Sequence, residues 1–174
     1  VFGPTSSQWG EEVERVDAEL ARLVASVPAD TAVYVTADHG MVEVPFAQRI
    51  DMAAEPLLLD GVRHVGGEPR SVQLYCAPGA AAEVAARWRD RLGAQATVVT
   101  RDEAVLSGLF GAPEAVAERV LPRIGDVIVN CIGDVAVVDT VRMRAELLGL
   151  LGLHGSVSDE ETAIPLFRWP ARTA

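Results

Sequence analysis

The sequence contains no lysine, so its 15 basic residues are all arginine, and they are outnumbered by 25 acidic residues. The formal net charge is −10 at pH 7. A phosphate-rich polymer would be repelled by this balance, and we therefore expect no binding of nucleic acid through a basic face. An acidic protein can still act on a small phosphoester if bound cations reverse the local potential.

Cysteine is also scarce, and no long apolar run is present. The two cysteines, Cys76 and Cys131, lie within apolar stretches and are typical of small core residues. Two such residues do not make a disulfide framework, which favours a reducing compartment, and we expect a cytoplasmic protein. No stretch approaches the ~20 apolar residues that span a bilayer, so we expect no membrane partner.

What the sequence does contain is the composition of a folded domain. Its 174 residues are 49% apolar, enough for one domain with a sizeable core, or for one domain that carries a small lobe. The chain starts at Val1 with neither a methionine nor a signal peptide. We expect it to be a piece of a longer protein.

The order of the elements predicts an α/β fold. Residues 5–27 have one apolar stripe and predict a helix that covers a sheet. Residues 32–37 are short, apolar and β-branched, which predicts a strand buried on both faces of a parallel sheet. A β-α-β-α run follows, with strands at 71–76 and 96–100, and it could form a small α+β lobe inserted at 66–120.

The remaining segments are predicted to alternate in the same way. Helices are expected at 80–92 and 141–151, and single helical turns at 102–106 and 113–120. A Gly-Asp pair at 133–134 predicts a hairpin between two short apolar strands, at residues 127–132 and 135–138.

The most informative motif is Asp38-His39-Gly40, which follows the strand at 32–37. Open α/β sheets place their chemistry at the carboxyl ends of strands. A second His-Gly pair, His154-Gly155, comes far down the chain. A carboxylate beside one imidazole, completed by a distant imidazole, suits a zinc-type divalent ion. The alternative is an aspartate that caps a turn and histidines that bond to backbone.

Other polar residues are assigned structural roles. We interpret His64 as a surface residue and Thr36 as part of the strand's packing rather than a nucleophile. Residues 67–70 could orient a substrate, but a plain turn with an exposed ion pair is preferred. Acidic residues 159–161 are interpreted as the start of a short closing helix, for which Ser158 and the third of them form a capping-box pattern.

Residues 36–41 (Thr-Ala-Asp-His-Gly-Met) and 153–156 (Leu-His-Gly-Ser) resemble the alkaline phosphatase superfamily. Within it, they are most similar to the type I phosphodiesterase/nucleotide pyrophosphatase family, as are residues 1–4 and 123–127. The resemblance is weak from about Val72 to Val120. It implies the C-terminal part of an alkaline-phosphatase-like sheet with flanking helices, here covering the whole chain from 1 to 174.

The resemblance also implies two divalent metal ions, usually zinc, although manganese would fit a carboxylate-rich site nearly as well. Asp38 and His39 match two ligands of one ion, and His154 matches a ligand of the other. The nucleophile and three further metal ligands of the family have no match here. The resemblance therefore implies no catalytic residue in this chain, and the isolated chain is expected to be inactive.

For a longer polypeptide, the family implies hydrolysis of a small phosphoester by two-step phosphoryl transfer. One alternative within the superfamily is a metal-dependent phosphate mutase, similar to cofactor-independent phosphoglycerate mutase. Another is a non-catalytic scaffold or interaction domain. Because a partial sheet exposes apolar surface, self-association of the chain is a further expectation.

Overall fold

A computed structural model describes residues 2–171 of the chain. The α-helices are α1 (Ser7–Ser26), α2 (Ala81–Leu92), α3 (Arg101–Leu106), α4 (Ala145–Leu148) and α5 (Asp159–Thr162). The strands are β1 (Val33–Thr36), β2 (Val42–Glu43), β3 (Arg49–Asp51), β4 (Val62–Glu68), β5 (Ser71–Cys76), β6 (Ala96–Thr100), β7 (Val127–Cys131), β8 (Ala136–Val138), β9 (Gly152–Leu153) and β10 (Leu166–Trp169). Short 3₁₀ turns lie at Phe46–Gln48, Pro56–Leu59, Gly93–Gln95, Pro113–Ala115 and Leu121–Arg123. Among residues 2–171, none of the helices has the length and apolar content needed to cross a membrane.

The largest sheet has four antiparallel strands in the order β4-β5-β7-β6. Helix α2 packs on one face of it, with the buried side chains of Val84, Trp88 and Leu92. Strand β5 turns Val72 and Leu74 towards this helix, since alternate residues of a strand share a face. Apolar burial of these side chains, roughly 1.5–3 kcal/mol for each large one, is what stabilises the core.

Three two-stranded sheets surround this core and carry the two His-Gly turns. Strands β1 and β10 pair antiparallel, β2 and β9 pair antiparallel, and β3 and β8 pair parallel. The β2–β9 pair matters most for function, because Val42 lies opposite Leu153. This register places the segment after His39 beside the segment before His154.

The α/β fold class is confirmed, and so are the strands at 71–76 and 96–100 and the helix at 80–92. The structure extends the antiparallel sheet from Val62 to Cys131, so a separate lobe at 66–120 stays a prediction. Cys131 is buried as expected, and Cys76 is half-buried.

Strand β1 does not lie buried in a parallel sheet, so that prediction is wrong for the described residues. Its partner is the antiparallel strand β10, which the sequence did not reveal. Tyr34 is 59% exposed, and Thr36 is exposed rather than packed. The cause is the lack of a covering layer over this strand among residues 2–171.

Helix α1 forms with Ser6 as its N-cap, whose side chain accepts a hydrogen bond from the N–H of Trp9. The prediction that its apolar stripe covers a sheet is wrong for the described residues, because none of its side chains is buried. Trp9, Val13 and Leu23 all remain exposed. Most of the stripe is therefore an apolar surface that no other segment of residues 2–171 buries.

The predicted hairpin at 133–134 is also wrong. Strand β7 pairs with β5 and β6, whereas β8 leaves to pair with β3. The carbonyls of Gly133 and Val135 accept hydrogen bonds from the Arg70 guanidinium, at 2.8 and 2.7 Å. These bonds, with the N–H of Val137 donating to the carbonyl of Pro69, hold the chain at the turn between β4 and β5 instead of back along β7.

Two predicted helical segments are shorter than expected. The segment 141–151 is helical only in α4, because the Arg49 guanidinium takes the carbonyls of Leu148 and Leu150 as acceptors. The segment 113–120 is reduced to the 3₁₀ turn at Pro113–Ala115. The short closing helix is present as α5.

Candidate metal centre

The two distant histidines meet in space. The imidazole rings of His39 and His154 are stacked, with centroids 3.6 Å apart and planes 15° from parallel. The β2–β9 pairing that follows His39 and precedes His154 brings them together. The convergence expected from the sequence is therefore present in the structure.

Asp38 completes the predicted set at the end of β1. Its Oδ2 lies 3.7 Å from Nε2 of His39, and its side chain is 89% exposed. Its Oδ1 accepts a hydrogen bond of 3.1 Å from the N–H of His39, which fixes the turn. One carboxylate oxygen and one imidazole nitrogen thus face the same space, as two ligands of one ion would.

The orientation of the His39 ring is set by its own turn. Its Nδ1 lies 2.7 Å from the carbonyl oxygen of Gly40, a contact that requires Nδ1 to donate its proton. In a neutral ring, Nε2 is then left as the lone-pair nitrogen. This is the arrangement in which a second hydrogen bond orients a metal-binding histidine.

Gly40 is required by close approach rather than by a tight turn. A Cβ on this residue would lie 1.9 Å from the carbonyl oxygen of Glu160. The N–H of Gly40 also donates to the carbonyl of Glu161 at 2.8 Å. The φ of Gly40 is not in the left-handed region, so the close approach of the closing helix α5 is what requires a glycine here.

Gly155, after His154, meets the β4–β5 hairpin in the same way. A Cβ there would lie 2.6 Å from the Cβ of Glu68. Its φ of 122° is one that other residues rarely adopt. The two His-Gly glycines are therefore contact points for two different elements.

Those two elements are joined by a buried ion pair that the sequence reading missed. Arg70, at the hairpin, and Glu161, in α5, have side chains that are 0% and 1% exposed. The guanidinium donates two hydrogen bonds to the carboxylate, from Nε to Oε1 at 2.8 Å and from Nη2 to Oε2 at 3.0 Å. The exposed ion pair predicted at 67–70 is wrong, because the partner of Arg70 comes from the far end of the chain.

Glu161 also differs from its predicted role at a helix start. Its Oε1 accepts the N–H of Ser156 at 2.9 Å, and its Oε2 accepts the hydroxyl of Ser158 at 2.8 Å. Ser158 makes no side-chain cap to the α5 backbone. Burial raises the pKa of Glu161, but the hydrogen bonds from Arg70, Ser158 and Ser156 outweigh it and hold the pKa below its usual value.

A cavity of about 480 Å³ opens beside His154. Its lining is mostly apolar and includes Val72, Val137, Leu147 and Leu153. Of these, Val72, Val137 and Leu153 are buried core residues, whereas Leu147 is 40% exposed. A group bound next to His154 would find a preformed apolar wall here.

Asp38, His39 and His154 do not by themselves make a complete metal site. Among residues 2–171, no group of three or more histidine, cysteine, aspartate or glutamate side chains is arranged to hold one ion. The stacked rings nevertheless place two imidazoles side by side, with centroids 3.6 Å apart. Asp38 with His39, and His154 by itself, could serve neighbouring ions.

The other candidate residues play no part in this cluster. His64 is exposed, as expected. Thr36 donates only a 3.4 Å hydrogen bond to the carbonyl of Ala37. Burial raises the pKa of the Cys131 thiol to about 11, which makes it inert at neutral pH. Arg70 carried no signal in the sequence, and the Ser158–Glu161 spacing pointed to capping instead.

The mixed α/β fold and the two adjoining His-Gly turns agree with the resemblance to the alkaline phosphatase superfamily. The family model of type I phosphodiesterase / nucleotide pyrophosphatase matches residues 1–156, and the chain belongs to this family. Among curated proteins, none matches the chain.

Solved structures share the fold at low identity. Human ectonucleotide pyrophosphatase/phosphodiesterase 5 superposes with a TM-score of 0.67 at 16% identity, over 96% of this chain and 42% of its own. An inactive variant of the murine protein, in complex with AMP, superposes with a TM-score of 0.64 at 18% identity, over 97% of this chain and 42% of its own. Phosphonoacetate hydrolase from Sinorhizobium meliloti 1021, in complex with phosphonoformate, superposes with a TM-score of 0.54 at 21% identity, over 79% of this chain and 36% of its own. The chain thus spans less than half the length of these proteins.

Proposed function

We propose that this chain is the C-terminal half of a two-metal hydrolase of phosphoesters, of the phosphodiesterase or nucleotide pyrophosphatase type. The observation that carries the proposal is the stack of His39 on His154, beside the exposed carboxylate of Asp38. Membership of the family and the shared fold support it.

In this proposal Asp38 and His39 hold one divalent ion and His154 holds the other. Zinc is the ion that best suits a carboxylate with two imidazoles, and manganese is the second choice. When bound, such a pair activates a hydroxyl nucleophile and stabilises the attacking and leaving oxygens of an in-line displacement. The chain's own residues orient ligands: Asp38 fixes the backbone of His39, and Gly40 fixes its ring.

The substrate is proposed to be a small phosphoester, and not a nucleic-acid polymer, since the net charge is −10. One substituent of the phosphorus would enter the cavity beside His154. Its aliphatic lining favours an apolar substituent there. Arg142 also lines the cavity, where it pairs with Asp139 at 2.6 Å and adds a charged group.

The isolated chain is proposed to be inactive. Two protein ligands for one ion and one for the other fall short of the three that catalytic zinc sites use. The nucleophile and the remaining ligands would come from the upstream part of a longer polypeptide.

The test is hydrolysis of bis(4-nitrophenyl) phosphate by a polypeptide extended upstream to the length of the solved relatives, with zinc added. We expect diester hydrolysis that is lost in the Asp38→Ala variant. The 174-residue chain is the control and should show none. Interconversion of a sugar phosphate without diester hydrolysis would instead favour a phosphate mutase and overturn the proposal.

A further inference from the structure

Glu161 forms hydrogen bonds to both His-Gly turns. Its backbone carbonyl accepts the N–H of Gly40, the residue after His39, at 2.8 Å. Its side-chain Oε1 accepts the N–H of Ser156, two residues after His154, at 2.9 Å. One residue therefore ties together the two segments that carry the imidazoles.

The carboxylate of Glu161 has no free acceptor site. Its two oxygens accept four hydrogen bonds, two from Arg70, one from Ser156 and one from Ser158. A carboxylate offers about four lone-pair sites, so all are used. Glu161 is thus unsuited to bind a metal ion or to act as a base.

Arg70 is equally well fixed. Besides the carboxylate, its Nη1 donates to the carbonyls of Gly133 and Val135. Both side chains of the pair are buried, so neither charge is solvated by water. Arg70 lies in the β4–β5 hairpin of the four-stranded sheet. Through its bonds to Glu161, this hairpin is connected to the turns that follow His39 and His154.

We propose that Glu161, held by Arg70, is a positioning residue that sets where His154 stands relative to His39. The inference rests on the proposed function, in which both imidazoles are metal ligands. Outer contacts of this kind orient metal ligands, and their loss typically weakens metal binding about 10- to 100-fold. A site of this type needs its groups held within about 0.5 Å.

The test compares Glu161→Gln with Glu55→Gln in the 174-residue chain. The amide keeps the shape of the Glu161 side chain but points N–H groups at Arg70 or at Ser156. Glu55 is the matched control, because it also pairs with an arginine, Arg91, but on the surface. A second variant, Arg70→Met with Glu161→Leu, replaces the buried pair by apolar groups and is expected to fold.

Two readouts separate positioning from folding. The first is the NMR shift of the imidazole ring protons in metal-free protein, since each ring lies within the ring current of the other at 3.6 Å. The second is the dissociation constant for zinc alone, by calorimetry. In Glu161→Gln and in the double variant, we expect loss of the stacking shift and zinc binding weakened about 10- to 100-fold. Glu55→Gln should match the wild type.

Wild-type ring shifts and wild-type zinc affinity in a folded Glu161 variant would overturn the inference. If Glu161→Gln does not fold, the double variant provides the test, because its leucine at position 161 cannot accept the hydrogen bond from Ser156. If the 174-residue chain binds no zinc, the ring shifts alone decide whether Glu161 positions His154, and the proposed function is tested separately with the polypeptide extended upstream.

Discussion

The imidazoles of His39 and His154 stack face to face, with centroids 3.6 Å apart, although the two residues are distant in the sequence. The contact is built by backbone pairing, in which Val42 lies opposite Leu153, and not by the rings themselves. Two near-parallel rings can direct one nitrogen each towards two neighbouring positions. This geometry is the basis for the two-ion proposal.

Gly40→Ala should disturb the site and destabilise the chain. The new methyl group would lie 1.9 Å from the carbonyl oxygen of Glu160, so α5 must move away. Overpacking of this kind destabilises by about 1–3 kcal/mol. Urea unfolding measures the change.

The matched control is Gly10→Ala, in helix α1. A Cβ there meets nothing within 4 Å, and alanine favours the helix by about 0.5–1 kcal/mol over glycine. This variant should be slightly more stable than the wild type. Equal stability of the Gly40 variant and the wild type would show that α5 does not press on the turn.

Stability should fall on acidification, and the Arg70–Glu161 pair should account for part of the fall. The pKa of Glu161 is lowered in the folded chain, so the unfolded chain binds its proton first. The stabilising contribution is present above the ordinary value of 4.5 and is lost as the pH falls through the lowered value.

Thermal unfolding between pH 7 and pH 3 measures this dependence. The variant with Arg70→Met and Glu161→Leu should lose less stability over the range than the wild type. Asp51, Glu55 and Asp139, whose pKa values are also lowered, remain in both proteins and leave a common residual slope. Identical slopes would contradict the role of the pair.

The isolated chain should self-associate through helix α1. Trp9, Val13, Val16 and Leu23 are exposed along one stripe, and exposed apolar patches of this kind bind partners. Replacing Val16 and Leu23 by glutamate should yield a smaller species in sedimentation velocity. The control is Leu106→Glu, at a still more exposed leucine away from the stripe. A monomeric wild type would refute this expectation.

Leu147→Trp should narrow the cavity beside His154. In a polypeptide extended upstream, the variant should hydrolyse 4-nitrophenyl octyl phosphate less well, with a higher KM, but 4-nitrophenyl methyl phosphate as before. Leu106→Trp is the control, because Leu106 is 75% exposed and does not line the cavity. An equal effect of Leu147→Trp on both diesters would show that the cavity does not receive the substituent.

The sequence singled out Asp38, His39 and His154 because their motifs are short and local. The structure brings the two histidine rings together, and metal binding by the three residues stays a prediction. Arg70 and Glu161 were not singled out, because a buried ion pair depends on which distant segments meet. Strand β10 was missed for the same reason. Its pairing with β1 joins two distant segments, and neither shows an apolar alternation that would predict the partner.

Helix α1 was predicted correctly as a helix, but its stripe finds no partner among the described residues. Amphipathic spacing shows that a face is apolar and not what covers it. The Gly-Asp turn at 133–134 failed as a hairpin because the Arg70 guanidinium, rather than the turn, directs the chain. The cytoplasmic location stays a prediction.

Zinc titration of histidine variants tests the central claim most directly. In the polypeptide extended upstream, calorimetry should compare the wild type with His39→Ala, His154→Ala and His64→Ala, the last being an exposed histidine outside the cluster. The account predicts that the two cluster variants each lose zinc affinity, whereas His64→Ala binds as the wild type does. Unchanged affinity in His154→Ala, or equal losses in all three variants, would contradict it.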